Sequence, residues 1–183
     1  MRFFQKLLQK SAATKILIIF LSVGIVTCSA VTVWAVFFRK PSGPAITPDY
    51  APGKLDPNAE KITGDDTGKL ETPSGGGAIS LQYVDKVTIN LSDKKAYLSY
   101  SNPSKSTQNI VLQIVIKDQV VVQSERIEPG YRVKELPLLE GAEELLSEGT
   151  YTDAFFKILS YNPETGEKAM IDTKAEITVT VQK

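Results

Sequence analysis

The chain has 183 residues, with 21 basic and 21 acidic side chains, no histidine and a single cysteine, Cys28. Without histidine it cannot build a Ser-His-Asp triad, and without a second cysteine it cannot form an internal disulfide or a metal site of cysteine and histidine ligands. The zero net charge hides an uneven distribution, because residues 1–40 carry +6 while residues 41–78 and 79–183 each carry −3. A C-terminal region that is acidic and lacks a basic run argues against nucleic acid as a partner.

Residues 16–38 form a run of 23 residues without a charge. As a helix this run is about 34 Å long, enough to cross a hydrocarbon core of about 30 Å. It is too long for the apolar region of a cleaved signal peptide, so we expect the span to be retained in the lipid bilayer. Four basic side chains precede it and two follow it, which predicts a basic cytoplasmic arm over residues 1–15. The sequence therefore predicts a single-pass, signal-anchor protein of the plasma membrane with an extracytoplasmic C-terminal part.

Residues 39–78 are rich in Pro, Gly, Asp and Thr and show no apolar periodicity. This composition is typical of a disordered linker, and we expect a flexible tether between the span and a folded domain. Asp65 and Asp66 lie in this stretch, but the ligand spacing of an EF-hand loop is absent. No metal site and no cofactor is predicted.

Residues 79–183 change to short runs with period-two alternation separated by turn residues, which indicates β-strands. Val87, Ile89 and Leu91 alternate with polar residues, and the segment around Lys117 and Asp118 predicts the turn of a hairpin. About seven strands fit in this length. The predicted fold is mainly β, a single immunoglobulin-like antiparallel β-sandwich of about seven strands.

One short motif in this region is more specific than the rest. Leu146, Gly149 and Tyr151 have the L-x-x-G-x-Y spacing of a tyrosine corner, in which the tyrosine hydroxyl bonds to nearby backbone. We predict a structural corner here. Gly149 should resist β-branched substitution.

The external part resembles the immunoglobulin-like domains of small membrane-anchored surface proteins of Firmicutes. The resemblance rests on the corner motif and on three turn motifs, namely Asp56-Pro57-Asn58-Ala59, Asn102-Pro103 and Pro129-Gly130. It implies a fold and exposure at a bacterial cell surface, and it transfers no catalytic residues. The lack of disulfides in an external domain fits the same expectation.

We infer the function by excluding other classes of protein. We expect a non-catalytic binding or assembly module, accessory to a bacterial cell-envelope or surface apparatus, whose partner is another membrane-proximal protein or a cell-wall polymer. Val120, Val121 and Val122, or the final strand, are candidate sheet edges for a partner strand.

Two alternatives remain open. A cell-wall glycan-binding module would use exposed tyrosines as stacking faces, the candidates being Tyr97, Tyr131, Tyr151 and Tyr161. A hydrolase would use a Ser/Lys pair or paired carboxylates, for which the densest acidic group is Glu143, Glu144, Glu148 and Asp153.

Overall fold

The computed structural model describes residues 16, 20, 21, 24, 27, 47–65, 68–72 and 76–183. The chain divides into two compact units, residues 1–42 and residues 43–183. The described residues of the first unit, Ile16, Phe20, Leu21, Gly24 and Thr27, are helical and exposed. The rest of the predicted span lies outside the described residues, and among those described there is no helix with the length and apolar character needed to cross a bilayer.

The described part of residues 43–183 is mainly β, which confirms the predicted fold class at this level. Its strands and short helix are β1 Ala59–Lys61, β2 Gln82–Tyr83, β3 Lys86–Asn90, β4 Lys95–Asn102, β5 Asn109–Ile116, β6 Gln119–Gln123, β7 Tyr131–Pro137, α1 Ala142–Leu145, β8 Gly149–Tyr161 and β9 Thr173–Gln182. The strands form one sheet in the order β1-β7-β4-β3-β9-β8-β5-β6, with β2 paired to β4.

The predicted division into two stacked sheets is not seen, because one pairing joins the strands into a single curled sheet. β3 runs parallel to β9 over five residue pairs, from Lys86–Thr178 to Asn90–Gln182, whereas every other named pair is antiparallel. The curl brings distant strands face to face. Tyr100 of β4 and Phe156 of β8 meet edge to face with ring centroids 5.7 Å apart. One hydrophobic core therefore takes side chains from both ends of the sheet.

Alternation in the sequence explains which face of each strand is buried. In β3, Val87 and Ile89 are buried between more exposed neighbours, as the period of two predicts. β5 differs, since all eight of its residues are buried. Val111 points away from the main core into a small second cluster with Leu159 and Tyr161, and Ala51 packs against this cluster. A segment that precedes the strands thus covers the outer face of β5.

The β5–β6 hairpin is confirmed. Lys117 and Asp118 form its turn with φ values of 49° and 61°. Positive φ at both central residues is the geometry of a type I′ turn, whose twist matches that of the flanking strands. Asp is among the residues that tolerate this backbone region, which explains why the turn forms without glycine.

The prediction of a flexible linker over residues 39–78 is wrong for most of the residues described there. Residues 47–62, which we call the strap, lie along the domain. Asp56 N–H donates to Arg126 O at 2.8 Å, and Ile62 N–H donates to Gly130 O at 2.8 Å. Between them, β1 adds to the edge of β7. Composition predicted disorder because the strap has few large apolar side chains, but backbone hydrogen bonds and turns hold it instead.

Contacts with the domain continue beyond the strap. Asp65 Oδ2 accepts the Ser104 N–H at 2.6 Å, and Leu70 N–H donates to Lys105 O at 2.8 Å. Thr107 binds both the N–H and the C=O of Ala78. The folded domain therefore begins well before residue 79, the predicted boundary.

Candidate binding surface

The residues of the turn motifs that supported the sequence resemblance stabilise the fold through hydrogen bonds. Asp56 is buried, and its carboxylate accepts the Asn58 N–H at 2.8 Å and the Glu125 N–H at 2.8 Å. Asn102 is buried and donates through Nδ2 to Gln108 O at 3.0 Å, while its backbone carbonyl accepts the N–H of Gly130 at 2.7 Å. Gly130 has φ of 86°, which favours glycine. The Asn-Pro and Pro-Gly turns thus contact each other.

The predicted corner residues lie together at the start of β8. The Tyr151 hydroxyl donates to Ser147 O at 3.0 Å and accepts the Ser147 N–H at 3.1 Å, so the backbone contact that the motif predicts is present. Leu146 is buried in the main core, and Gly149 has φ of 146°. Lys117 Nζ lies 5.0 Å from the centre of the Tyr151 ring. These contacts are within the domain and leave the corner a structural feature.

The predicted interaction edges are not open. Val121 and Val122 are buried in the core, and Val120 is half-buried. Leu139 N–H donates to Val121 O at 2.9 Å, and Leu138 forms an isolated bridge with Val122. The final strand, β9, is paired on both sides by β3 and β8. Both predictions were wrong because the curl of the sheet, which the sequence does not reveal, brings other segments to these edges.

The surface that sequence reasoning missed is the loop of residues 162–172 between β8 and β9, which we call the tip. Asn162 organises its first turn, because Oδ1 accepts the N–H groups of Glu164 and Thr165 at 2.8 and 3.2 Å. Its second half is held by ion pairs, since the Asp172 carboxylate binds both Lys168 and Lys157. Hydrogen bonds and ion pairs therefore hold the tip in a defined conformation.

The strap is fastened to the tip at its own N-terminal end. The Tyr161 hydroxyl donates to Pro48 O at 3.0 Å, Lys168 N–H donates to Asp49 O at 3.0 Å, and Ala51 N–H donates to Gly166 O at 2.8 Å. Tyr161 is fully buried, and burial together with the carboxylates of Asp172 and Asp49 raises its pKa to about 12. The tyrosine thus stays a neutral donor at physiological pH.

The tip exposes large apolar side chains side by side. Met170 is fully exposed and Ile171 is 80% exposed, while Tyr50 of the strap, 62% exposed, lies against Gly166. Single exposed apolar residues are ordinary, but Met170 and Ile171 are adjacent and both protrude, which makes the tip a candidate contact surface. In the sequence, Met170-Ile171 is only an apolar pair in a turn-rich segment between two strands.

An open cavity of about 490 Å³ lies beside this apolar pair. Its wall includes Lys168, Met170 and Ile171 of the tip, together with Gly77 and Gln108 on the other side. Gly77 approaches Gln108 so closely that a Cβ at this position would fall 2.3 Å from the glutamine side chain. The lining mixes apolar side chains with polar ones, among them Ser160, Glu167 and Lys168, and Lys168 is paired with Asp172.

Two of the acidic residues considered for hydrolysis, Glu143 and Glu148, lie beside lysines. Glu143 forms an ion pair with Lys94, whose hydrogen bond lowers the glutamate pKa. A general acid of a glycosidase needs a raised pKa, so this environment acts in the wrong direction. Glu148 Oε1 lies 3.7 Å from Lys183 Nζ. Within the described ranges, no group of three His, Cys, Asp or Glu side chains is placed to hold a metal ion.

The tyrosines considered as stacking faces differ in exposure. Tyr161 is buried, and Tyr131 and Tyr151 are half-buried, whereas Tyr97 of β4 is 40% exposed. The Tyr97 hydroxyl donates to Asp93 Oδ2 at 2.5 Å, and this hydrogen bond raises the tyrosine pKa. On the neighbouring strand, Glu135 accepts from Lys95 Nζ at 2.6 Å. Tyr97 is thus an aromatic face with polar groups around it.

Comparison with known proteins adds a structural likeness. No protein-family model matches the chain, and no curated protein matches it. Among solved structures, it is similar to one described as the YadV chaperone, with 14% sequence identity and a TM-score of 0.36. That match covers 57% of this chain and 51% of the chaperone chain, so it spans about half the length of the chaperone. A likeness of this size says nothing about function or partners.

Proposed function

We propose that the protein is a non-catalytic, membrane-anchored binding or assembly module that displays its β domain outside the cytoplasm. Residues 16–38 are the anchor, and residues 1–15 form the cytoplasmic arm. The domain serves a bacterial cell-envelope or surface apparatus, with another membrane-proximal protein as partner. The location and the bacterial origin are supported by the uncharged run, by the positive charge that precedes it and by the absence of disulfides.

The observation that carries the proposal is the docking of the strap. Because Pro48 is already bonded to Tyr161, ten peptide units separate the domain from Phe38, the last residue of the predicted span. Fully extended, these units reach at most about 36 Å. Such a short connection suits a domain that works at the membrane and reaches partners in or near it.

A binding role also agrees with the contacts that the polar side chains of the domain make. Asp56, Asn102 and Thr107 all bind backbone groups and so fix turns. Glu143 has a lowered pKa, which disfavours acid catalysis. Polar side chains used in this way stabilise a scaffold, and a scaffold that exposes apolar side chains such as Met170 and Ile171 is typical of a binding module.

We propose further that the curled sheet is an immunoglobulin-like sandwich closed along one side. If the parallel β3–β9 pairing is set aside, the strand order separates into β1-β7-β4-β3 and β9-β8-β5-β6, each antiparallel. The Tyr100–Phe156 contact lies between these two halves. The hydroxyl contact of Tyr151 is the one expected of a tyrosine corner in this fold.

The test is to express the full chain in a Gram-positive bacterium, remove the wall and treat the protoplasts with protease. We expect the domain to be cleaved from outside, while the anchor stays in the membrane pellet after an alkaline carbonate wash. A secreted fragment of residues 43–183 is the matched control and should be washed away. Protection of the domain from external protease, or loss of the full chain in the wash, would contradict the proposal.

The partner is identified in the same cells by cross-linking before lysis. Recovery of a defined set of envelope proteins, absent from the fragment control, supports assembly. Recovery of wall polymer alone would favour the second candidate, a glycan-binding module, for which Tyr97 is the specific observation, since aromatic faces bordered by polar groups suit sugar rings. In that case Tyr97→Ala should abolish the recovery of polymer.

A further inference from the structure

A second open cavity of the domain has a volume of about 540 Å³. Sites for small molecules commonly measure about 300–1,000 Å³, so the cavity is large enough for one. Side chains from separate segments meet there, since Lys69 follows the strap, Asn109 begins β5 and Arg126 lies between β6 and β7. The lining combines two cations, one acid, an amide, a hydroxyl and two proline rings, from Lys69, Arg126, Glu128, Asn109, Thr107, Pro129 and Pro163.

The observation that points to a ligand is the side chain of Asn109. Only 7% of this residue is exposed, yet its amide makes no hydrogen bond to any residue that the structure describes. Buried polar side chains are usually paired, because an amide that leaves water without a partner lowers stability. Thr107 in the same lining follows that rule, since its hydroxyl binds the N–H and C=O of Ala78. The amide of Asn109 therefore offers a donor and an acceptor to a molecule in the cavity.

The two cations of the lining are held in place and keep further donors. Arg126 donates from Nη1 to Pro52 O at 3.3 Å and pairs through Nη2 with Glu128 at 3.0 Å, while its Nε is buried without a partner. Lys69 Nζ donates to Ser106 O at 2.8 Å. Each of these contacts uses a single N–H group of its side chain, so other N–H groups remain for an acceptor in the cavity.

The balance of charge defines the kind of ligand. Lys69 and Arg126 against Glu128 leave the lining with one positive charge, two minus one. A monoanion neutralises this charge, whereas a dianion would place excess negative charge beside Glu128. A carboxylate is a monoanion that accepts several hydrogen bonds at once, and charged donors such as arginine and lysine bind it strongly. Pro129 and Pro163 provide apolar walls for a compact carbon skeleton.

We propose that this cavity binds a small ligand that carries one carboxylate next to an amide or hydroxyl group. Lys69 and Arg126 would hold the carboxylate, and Asn109 would pair with the neighbouring group. The inference goes beyond the proposed function, because it uses residues of the domain alone and does not depend on where residues 16–38 lie. It adds a site of defined chemistry to the binding role.

The experiment titrates the full chain in detergent micelles with two acids. N-acetylalanine carries its carboxylate beside an amide, and glucuronate carries its carboxylate beside hydroxyl groups. The matched neutral compounds are N-acetylalaninamide and glucose. Binding is measured by calorimetry and by the NMR signals of the Asn109 side-chain amide. We expect at least one acid to bind with a Kd of about 1 mM, and its neutral counterpart to bind at least about ten-fold more weakly.

Variants of the lining locate the binding. Asn109→Ala should weaken it about five-fold and leave the fold unchanged, because this amide makes no hydrogen bond to the described residues. Lys69→Gln should weaken it about ten-fold, since a charged donor is lost. Lys86→Gln, the same change at an exposed position of β3, is the matched control and should have no effect. Arg126 is kept, because its contacts with Pro52 and Glu128 also stabilise the fold.

Selective binding of N-acetylalanine would support an amide-bearing ligand, and selective binding of glucuronate a hydroxyl-bearing one. If neither acid binds at up to about 10 mM, the inference is overturned. Equal affinity for an acid and its neutral counterpart would also overturn it, as would binding that survives both Asn109→Ala and Lys69→Gln or that Lys86→Gln weakens equally. Release of the full chain in the carbonate wash would contradict the anchor alone, so the two proposals can fail separately.

Discussion

The two ends of β8 each carry a tyrosine whose hydroxyl donates to a backbone carbonyl at 3.0 Å, but the two contacts differ in range. Tyr151 binds Ser147, four residues away, whereas Tyr161 binds Pro48, 113 residues away. The first contact fixes a local corner. The second fastens the strap to the tip.

The difference shows why the first contact was predictable and the second was not. A corner depends on spacing along the chain, which L-x-x-G-x-Y displays directly. The Tyr161–Pro48 bond depends on where the curled sheet places the end of β8, and no short motif records that placement. Substitutions at the two ends should therefore have separable effects.

The largest effect is expected from truncating the buried tyrosine. Tyr161→Ala should lower the free energy of unfolding by about 3–5 kcal/mol, since it empties a fully buried site under the strap. Tyr151→Ala should cost about 2 kcal/mol, because its ring is half-buried. Urea unfolding of residues 43–183 measures both. A larger loss for Tyr151→Ala would reverse the comparison, and an unchanged stability there would count against the corner.

The next effect concerns the middle of the strap. Asp56→Ala should destabilise the domain by about 2 kcal/mol, because the Asn58 and Glu125 N–H groups lose a charged acceptor. Limited proteolysis should then cut within residues 47–62 first. Asp153→Ala, an exposed residue of β8, is the matched control and should change stability by less than about 0.5 kcal/mol. Equal protease resistance in the two variants would show that the strap does not depend on Asp56.

Removing only the hydroxyl groups should change stability less, and it tests the hydrogen bonds without emptying the ring sites. Tyr161→Phe and Tyr151→Phe should each cost about 1 kcal/mol, the usual net value of one hydrogen bond. Their local effects should differ, because only Tyr161→Phe removes a bond to the strap. Amide exchange at Ala51 should accelerate in Tyr161→Phe and stay unchanged in Tyr151→Phe. Acceleration in both would mean that the ends of β8 are coupled.

The last test is a dependence on alkaline pH. Tyr161 ionises at about 12 in the folded domain against 10.0 when unperturbed, so the folded state keeps a proton that the unfolded state has lost. Stability from this group is therefore complete below pH 10 and falls as the pH rises to about 12. Burial also raises the pKa of Tyr100, which adds to the same fall. The fall should be shallower in Tyr161→Phe, and an identical profile would refute the assignment to Tyr161.

Local patterns predicted much of the fold, since alternation identified strands such as β3 and the Lys117-Asp118 turn fixed a hairpin. The pairing of segments that are distant in the chain could not be predicted from the sequence. The parallel β3–β9 pair, the covered edge at Val121 and the docked strap each depend on how separate segments meet. The tip was missed for a related reason, because Met170 and Ile171 are an ordinary apolar pair until the structure shows them protruding.

The central claim is that residues 47–62 belong to the folded domain and do not form a free tether. Hydrogen exchange on the full chain in nanodiscs tests it directly at the amides of Ala51, Asp56 and Ile62, each of which donates to a carbonyl of the domain. The account predicts slowed exchange at all three, with Asp56→Ala releasing protection in the middle of the strap. Exchange at the rate of an unstructured peptide would contradict it and restore the flexible linker.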